Sequence, residues 1–312
     1  MRLLRTLAGQ AGAARGYVAA IGGFDGIHLG HRALLARVRE QARAADLASM
    51  VLTFEPLPKE YFARSAPPAR LTNFRERWRL LEQDGPDVLC VLRFNERLRS
   101  LSAAGFAQLL ARGGVRRIVI GHDFRAGYRG EASAEWFERE GPRHGLTVTV
   151  VPPVTGEGIR IGSGAIRGAL AAGDLQLAAC LLGRPYSMRG RVMGGDRLGR
   201  QFGFPTANLR LARRATPLDG IFAVRVRGAC TAPGVDTAVP GVASLGTRPT
   251  VGGTRALLEA HLFDFDGDLY GRELEVEFVA RLRAEERFDN VDAMIEQMHR
   301  DAAAARAVLA AG

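Results

Sequence analysis

Short apolar runs alternate with segments of helical periodicity through the first half of the chain. Residues 17–22 form an apolar run that ends in glycines, and residues 49–54, 87–92, 118–121 and 147–151 are further runs that predict strands. Between them, residues 32–45 place Leu34, Leu35, Val38 and Ala42 at helical spacing, and residues 75–81 and 103–110 also read as helices. Strands separated by helices predict a parallel sheet with right-handed crossovers. Such a sheet takes its ligands at the carboxyl ends of the strands, near a switch in strand order.

The texture changes after about residue 182. Residues 165–182 read as one Ala/Leu-rich helix, broken by Gly183-Arg-Pro-Tyr186. Short β runs follow at residues 222–226, 242–246, 257–263 and 274–279. The alternation in Glu273-Leu-Glu-Val-Glu-Phe278 predicts an antiparallel sheet or small barrel. Residues 291–309 close the chain as a helix, with Asp289 or Asn290 as its N-cap. The expected organisation is an α/β domain over residues 1–182, with a Rossmann-like parallel sheet, followed by a β-barrel-like domain with a terminal helix over residues 183–312.

At 312 residues, two domains are the natural expectation. No apolar run approaches the ~20 residues of a membrane span. The segment Met1-Arg-Leu-Leu-Arg-Thr lacks the apolar stretch of a signal peptide, so a cytoplasmic location is expected. Cys90, Cys180 and Cys230 are scattered, which offers neither a disulfide framework nor a Cys-rich zinc site. The net charge is +10, yet Lys59 is the only lysine among 43 basic residues. A Walker-type phosphate loop and a protein-kinase strand lysine are therefore excluded. Phosphate must be held by arginine, histidine, metal ions or backbone N–H groups. No dense basic run is present, so the charge reads as a solvated Arg-rich surface rather than a nucleic-acid surface.

Two stretches carry chemistry. In Gly22-Gly-Phe-Asp-Gly-Ile-His-Leu-Gly-His31 a strand ends in glycines, turns and opens a helix. Helix N-termini present free N–H groups and the positive end of a dipole, and so attract phosphate. His28 and His31 are three apart, on one face of the first turn, and Gly30 between them leaves room for a nucleotide. Two imidazoles there suit stabilisation of a charged phosphoryl centre. A metal half-site is the alternative, but no Cys or carboxylate cluster accompanies it in the sequence. The second stretch runs Gly190-Arg-Val-Met-Gly-Gly-Asp-Arg-Leu-Gly-Arg-Gln-Phe-Gly-Phe-Pro-Thr-Ala-Asn208. A loop with Gly194, Gly195, Gly199 and Gly203, punctuated by Arg197 and Arg200, can wrap phosphates with its N–H groups. Thr206 and Asn208 put a hydroxyl and an amide oxygen on one side of an extended chain, and hard oxygens of this kind suit magnesium.

The first stretch resembles the H-x-G-H nucleotidylyltransferases, most closely the prokaryotic bifunctional riboflavin kinase/FAD synthetases. The likeness continues through Thr53-Phe-Glu-Pro-Leu-Pro58, Arg70-Leu-Thr72, Gly121-His-Asp-Phe-Arg-Ala-Gly-Tyr-Arg-Gly130 and Arg160-Ile-Gly-Ser-Gly-Ala-Ile-Arg167. The resemblance implies a site that transfers AMP from ATP to FMN. It would set Gly22, Phe24, Asp25, Gly26 and Gly30 against the nucleotide, with His28, His31, Ser163 and Arg167 on its phosphates. Pro56, Pro58 and Phe62 would lie near the flavin. Gly162 and Gly164 depart from the family's usual Ser-Ser-Thr, Leu57 replaces a histidine, and Ala126 replaces a phenylalanine. Adenylyl transfer is expected to be retained but weakened.

The second stretch resembles the flavokinase module. The match extends through Asp219-Gly-Ile-Phe-Ala-Val224, Gly246-Thr-Arg-Pro-Thr250, Leu258-Glu-Ala-His-Leu-Phe-Asp-Phe265, Asp268-Leu-Tyr-Gly271 and Arg283-Ala-Glu-Glu-Arg-Phe288. It implies that Glu259 is the general base toward the riboflavin 5′-hydroxyl. It also implies that Gly195, Arg200 and Gly203 contact the nucleotide, that Thr206 and Asn208 bind Mg2+, and that Arg283 and Phe288 border the flavin. His261 reads as structural. The expected activity is ATP-dependent phosphorylation of riboflavin to FMN and adenylylation of FMN to FAD. One alternative is a riboflavin kinase with an inactive adenylyltransferase domain; another is a non-catalytic nucleic-acid or flavin-binding protein.

Overall fold

The computed structural model describes residues 1–7, 16–63, 65–194, 203–213, 215–230, 237–250 and 253–311, with the side chains of 247–250 and 253–255 left aside. By packing, the chain divides into two compact units: Met1–Pro68 with Arg77–Gly162, and Ala69–Glu76 with Ser163–Gly312.

The first unit is built on a parallel sheet. Its strands are β1 (Arg2–Leu4), β2 (Tyr17–Ile21), β3 (Ala48–Glu55), β4 (Val88–Arg93), β5 (Val115–Gly121) and, after the small hairpin β6 (Arg125–Ala126) and β7 (Ala132–Ser133), β8 (Thr147–Val151). The spatial order is β1-β4-β3-β2-β5-β8, and every pairing within it is parallel. β2 is buried at all its positions, as a central strand covered on both faces must be. The helices are α1 (Leu29–Ala45), α2 (Pro58–Phe62), α3 (Phe74–Asp84; this unit holds it from Arg77 on), α4 (Glu96–Arg99), α5 (Ala103–Arg112) and α6 (Ala134–Glu140). The chain runs outward from β2 through β3 to β4, then returns to lay β5 on the other side of β2. The switch point therefore lies between β2 and β5, where ligand crevices form in open parallel sheets. A second hairpin, β9 (Thr155–Gly156) with β10 (Ile159–Arg160), follows β8.

Cys90 sits in the core of this sheet, and burial pushes its thiol up to about 12. Cys180 and Cys230 are exposed. Only the thiolate is a good nucleophile. A thiol-reactive dye at pH 8 should therefore label Cys180 and Cys230 in the native protein and Cys90 only after unfolding; native labelling of Cys90 would contradict this packing.

In the second unit, α7 (Ser163–Ala171) and α8 (Leu175–Leu182) precede the barrel strands β11 (Ser187–Met193), β12 (Ala207–Leu211), β13 (Gly220–Arg227), β14 (Val239–Thr250), β15 (Gly253–Leu262) and β16 (Glu273–Arg283). The barrel closes in the order β11-β12-β15-β14-β13-β16 with antiparallel pairings throughout. In β15, Ala256, Leu258, Ala260 and Leu262 point inward and are buried, while Glu259 and His261 face outward. The terminal helix α9 (Val291–Ala311) lays Ala302, Ala305 and Leu309 on Ala223, Val242, Phe263, Ala280 and Leu282. Among the described residues, no helix is long and apolar enough to cross a membrane.

Two sequence expectations are corrected. Residues 165–182 are two helices, because Gly173 takes φ 78° and Asp174 then caps α8 by accepting from the Leu177 N–H. Of the two proposed caps for α9, Asn290 is the one that accepts from a backbone N–H, that of Ala293, at 2.8 Å. Gly183 does end α8, in the left-handed conformation favoured by glycine.

Candidate functional site

The first cluster gathers at the carboxyl ends of β2, β3 and β5. The turn after β2 is held in an uncommon backbone state: Phe24, Gly26 and Ile27 have φ of 50°, 90° and 42°. Positive φ is costly for Phe and Ile, so something must hold the turn. Burial of both side chains does part of this. The Gly23 carbonyl also accepts from Thr53 Oγ1 at 3.1 Å and from Arg77 Nη1 at 2.9 Å. Arg77 is itself buried and ion-paired with Glu55 at 2.9 Å. Nothing in the sequence pattern singles out Arg77, because its partner lies 54 positions away.

The turn delivers His28 as the N-cap of α1. Its Nδ1 accepts from the His31 N–H at 3.3 Å, so the neutral ring carries its proton on Nε2 as a donor. The two imidazoles stack at 3.6 Å between centroids, with the Phe24 ring 4.9 Å from His31. A Cβ at Gly30 would meet the His28 ring at 3.2 Å and the Ile161 carbonyl at 3.5 Å. The chain thus passes the start of α1 just before entering Gly162-Ser163-Gly164. Asp25 is buried in the same turn, and Gly22 leads into it. Asp123, just past β5, pairs with Arg160 at 2.5 Å and so ties two of the sequence motifs together.

Past the end of β3, Pro56 is exposed and Pro58 opens α2, a position suited to its fixed φ. Leu57 is buried, with its N–H donating to Glu60. Phe62 is 62% exposed, edge-on to Phe94 and Tyr61, and lies under the Arg99 guanidinium. An aromatic of that exposure offers a face to a planar ligand. Ser163 begins α7, and Arg167 Nε donates to the Ala69 carbonyl at 2.6 Å. Two other concavities lie at the amino ends of strands: one is lined by Arg39, Arg43, Ser49 and Asp87, the other by Glu138, Pro142 and Val148. Neither is lined by a residue that the sequence assigns to a site.

The second cluster is a cross-strand row on the outer face of the barrel. Met193 is opposite Asn208, Asn208 opposite Glu259, Glu259 opposite Ser244, Ser244 opposite Ile221, and Ile221 opposite Arg283. Directly opposed residues share a face, with Cβ atoms about 4.5–5.5 Å apart. Three residues chosen from the sequence, Asn208, Glu259 and Arg283, thus fall on one line; Met193, Ser244 and Ile221 complete it and were not foreseen. Thr206 precedes Asn208 by two positions, just before β12 begins, and is half-buried like it. His261 makes a structural contact, Nδ1 lying 2.9 Å from the Pro205 carbonyl, and packs near Phe204 and Phe263. Arg283 is engaged by Asp301 of α9 through Nε at 2.9 Å and Nη2 at 2.7 Å, with its guanidinium 5.7 Å from the Phe288 ring. The Asp301 hydrogen bonds hold the Arg283 pKa above its ordinary value, so it stays charged. Gly203 has φ 78° and open space around it, whereas Gly195 and Arg200 lie outside the described residues.

No group of three or more His, Cys, Asp or Glu able to hold a metal occurs among the described residues. The side-chain oxygens of Thr206 and Asn208 are nonetheless hard donors of the kind that fit magnesium.

Two family models match in tandem, FAD synthetase over residues 10–165 and riboflavin kinase over residues 182–309. A bifunctional riboflavin kinase/FMN adenylyltransferase of Pseudomonas fluorescens is 44% identical over 99% of this chain and 98% of its own. The chain belongs to the bifunctional riboflavin kinase/FMN adenylyltransferase family. Its Escherichia coli (strain K12) member is 42% identical over 98% of this chain and 97% of its own. The two clusters fall one in each matched region of this bifunctional architecture. A crystal structure described as a macrolide-efflux protein from Streptococcus pneumoniae shares the fold, with TM-score 0.78, 32% identity and 96% of each chain covered.

Proposed function

We propose that the chain phosphorylates riboflavin with ATP to give FMN and adenylylates FMN with a second ATP to give FAD, with residues 183–312 as the riboflavin kinase domain and residues 1–182 as the FMN adenylyltransferase domain. The observation that carries the kinase half is the pairing of Asn208 with Glu259 across β12 and β15. A primary alcohol is not ionised at neutral pH, so a positioned carboxylate assists its attack. Glu259 takes the proton of the 5′-hydroxyl as that oxygen attacks the ATP γ-phosphorus, and ADP leaves. Thr206 and Asn208 hold magnesium, which supplies charge neutralisation at the phosphates when bound. Gly195, Arg200 and Gly203 line the nucleotide, and Arg283 and Phe288 wall the flavin.

The adenylyl half needs no general base. A phosphomonoester has its second pKa near 6, so FMN phosphate is already a dianionic nucleophile. It attacks the α-phosphorus and pyrophosphate leaves. His28 and His31 with the start of α1 supply oriented donors for the charge that develops there. Pro56, Pro58 and Phe62 border the flavin, and Ser163 and Arg167 keep the phosphate-holding role that the family resemblance implies. The reading places the enzyme in the cytoplasm.

Incubation with riboflavin, ATP and magnesium, with the flavins separated over time, tests both halves. FMN should appear first and FAD follow. FMN without FAD would favour a second reading, a kinase with a silent adenylyltransferase, and no FMN would reject the proposal. The second reading draws on Gly162 and Gly164, which lack the family's hydroxyls. A Cβ at either glycine meets nothing within 4 Å, so hydroxyls fit there without strain. Each hydrogen bond to a charged phosphate contributes about 1.5–3 kcal/mol. Gly162→Ser combined with Gly164→Thr should therefore raise FMN adenylylation about tenfold or more, and an unchanged rate would show that those hydroxyls are not what limits the step.

A further inference from the structure

In the cross-strand row, Glu259 has Asn208 on one side and Ser244 on the other. The Asn208 side carries the chemistry suited to nucleotide and cation. The Ser244 side differs in kind. Ser244 Oγ donates to Glu285 Oε1 at 3.0 Å, so its only proton is committed and its lone pairs remain. Glu285 lies in the segment after β16, exposed to solvent, and its carboxylate occupies the space that a Cβ on Gly246 would fill. Gly246 is two residues from Ser244 in β14 and faces the same way. The absence of a side chain there is what lets the carboxylate lie down on the strand.

Next to Glu259 on this side lie the acceptors of the Ser244–Glu285 pair, and the one cation further along the described row, Arg283, is already engaged by Asp301 and Glu286. A flank of acceptors with a negative charge repels phosphate and receives hydroxyl groups. We propose that Ser244 and Glu285 form an acceptor pair that binds the polyol tail of the flavin substrate and directs its terminal hydroxyl to Glu259. The row then has a polarity, with phosphates on the Asn208 side, the alcohol on the Ser244 side and the base between them. This inference rests on the kinase reading above, and it adds substrate-orienting residues that the sequence motifs do not single out.

The test compares riboflavin with lumiflavin, which keeps the ring system and lacks the polyol. The readouts are KM for riboflavin in initial-rate phosphorylation and the inhibition constant of lumiflavin in the same reaction, which report on the kinase site alone. Ser244→Ala should raise the riboflavin KM about tenfold, the size of one lost hydrogen bond at a charged site, and leave the lumiflavin constant within twofold. Glu285→Ala, at an exposed position, should act in the same direction. Ser244→Thr keeps the hydroxyl and should restore the riboflavin KM. Parallel loss of both ligands, or no change in either, would overturn the proposal. Absence of riboflavin phosphorylation by the unaltered protein would instead reject the kinase reading on which it rests.

Discussion

Glu259→Gln should lower the rate of riboflavin phosphorylation by about 10²–10⁴, the usual contribution of a positioned general base. The substitution keeps the volume and one oxygen, so the ladder pairing of β15 with β12 and β14 is undisturbed. The loss should appear in kcat rather than in KM for ATP, because the proton is taken only as the γ-phosphorus is attacked. FMN adenylylation provides the internal control, since Glu259 lies in the barrel and His28 and His31 lie in the parallel-sheet unit. A variant that phosphorylates riboflavin at the parental rate would remove Glu259 from the base role. In that case the row would still be a binding surface, and phosphoryl transfer would rely on alignment and charge neutralisation alone.

Arg213→Ala should destabilise the barrel unit by about 3–5 kcal/mol, the cost of stripping one partner from a buried ion pair. The Arg213 side chain is 0% exposed and that of Glu76 is 6% exposed. The guanidinium is hydrogen-bonded to Glu76, to the carbonyls of Arg70 and Leu71, and to the Tyr186 hydroxyl at 3.1 Å. Glu76 in turn accepts from the N–H groups of Asn73 and Arg189 at 2.7 Å each. This network fastens the strap Ala69–Glu76 to the barrel. Removing the cation leaves a buried carboxylate with two neutral donors. Adding Glu76→Gln to Arg213→Ala should recover part of the loss, because an amide is cheaper to bury than an orphaned charge. Chemical-unfolding midpoints of the single and double variants measure both effects. A shift of under 1 kcal/mol for Arg213→Ala would show that the strap is held by its apolar contacts instead.

The same residues show how far sequence reasoning reaches. The apolar runs of β2, β3, β4 and β5 were legible because a parallel strand covered on both faces is apolar along its covered part, whereas the edge strand β8, exposed or half-buried along its length, was legible from its β-branched Thr and Val residues. The alternation over 273–278 announced β16, which has one buried and one outward face. β1 was missed: it has three residues and gains its place only by pairing with β4, far along the chain. β11 and β12 were also not delimited, since Gly190 and the glycine loop dilute their pattern. The single helix expected over 165–182 failed at Gly173, where apolar spacing continues while the backbone turns left-handed.

By itself, then, the chain's sequence determined the two architectures, the glycine-rich turn at Gly22–His31 that opens a helix with two histidines, and a basic set that is arginine with a single lysine. These are local properties, written in periodicity and in short motifs. The tertiary structure decided which distant residues meet: Arg77 on the Gly23 carbonyl, Arg213 on the strap, and Asn208, Glu259 and Ser244 on one line. Such meetings depend on strand register and barrel closure. A slip of one residue would turn Glu259 from the outer face to the interior while leaving every motif unchanged.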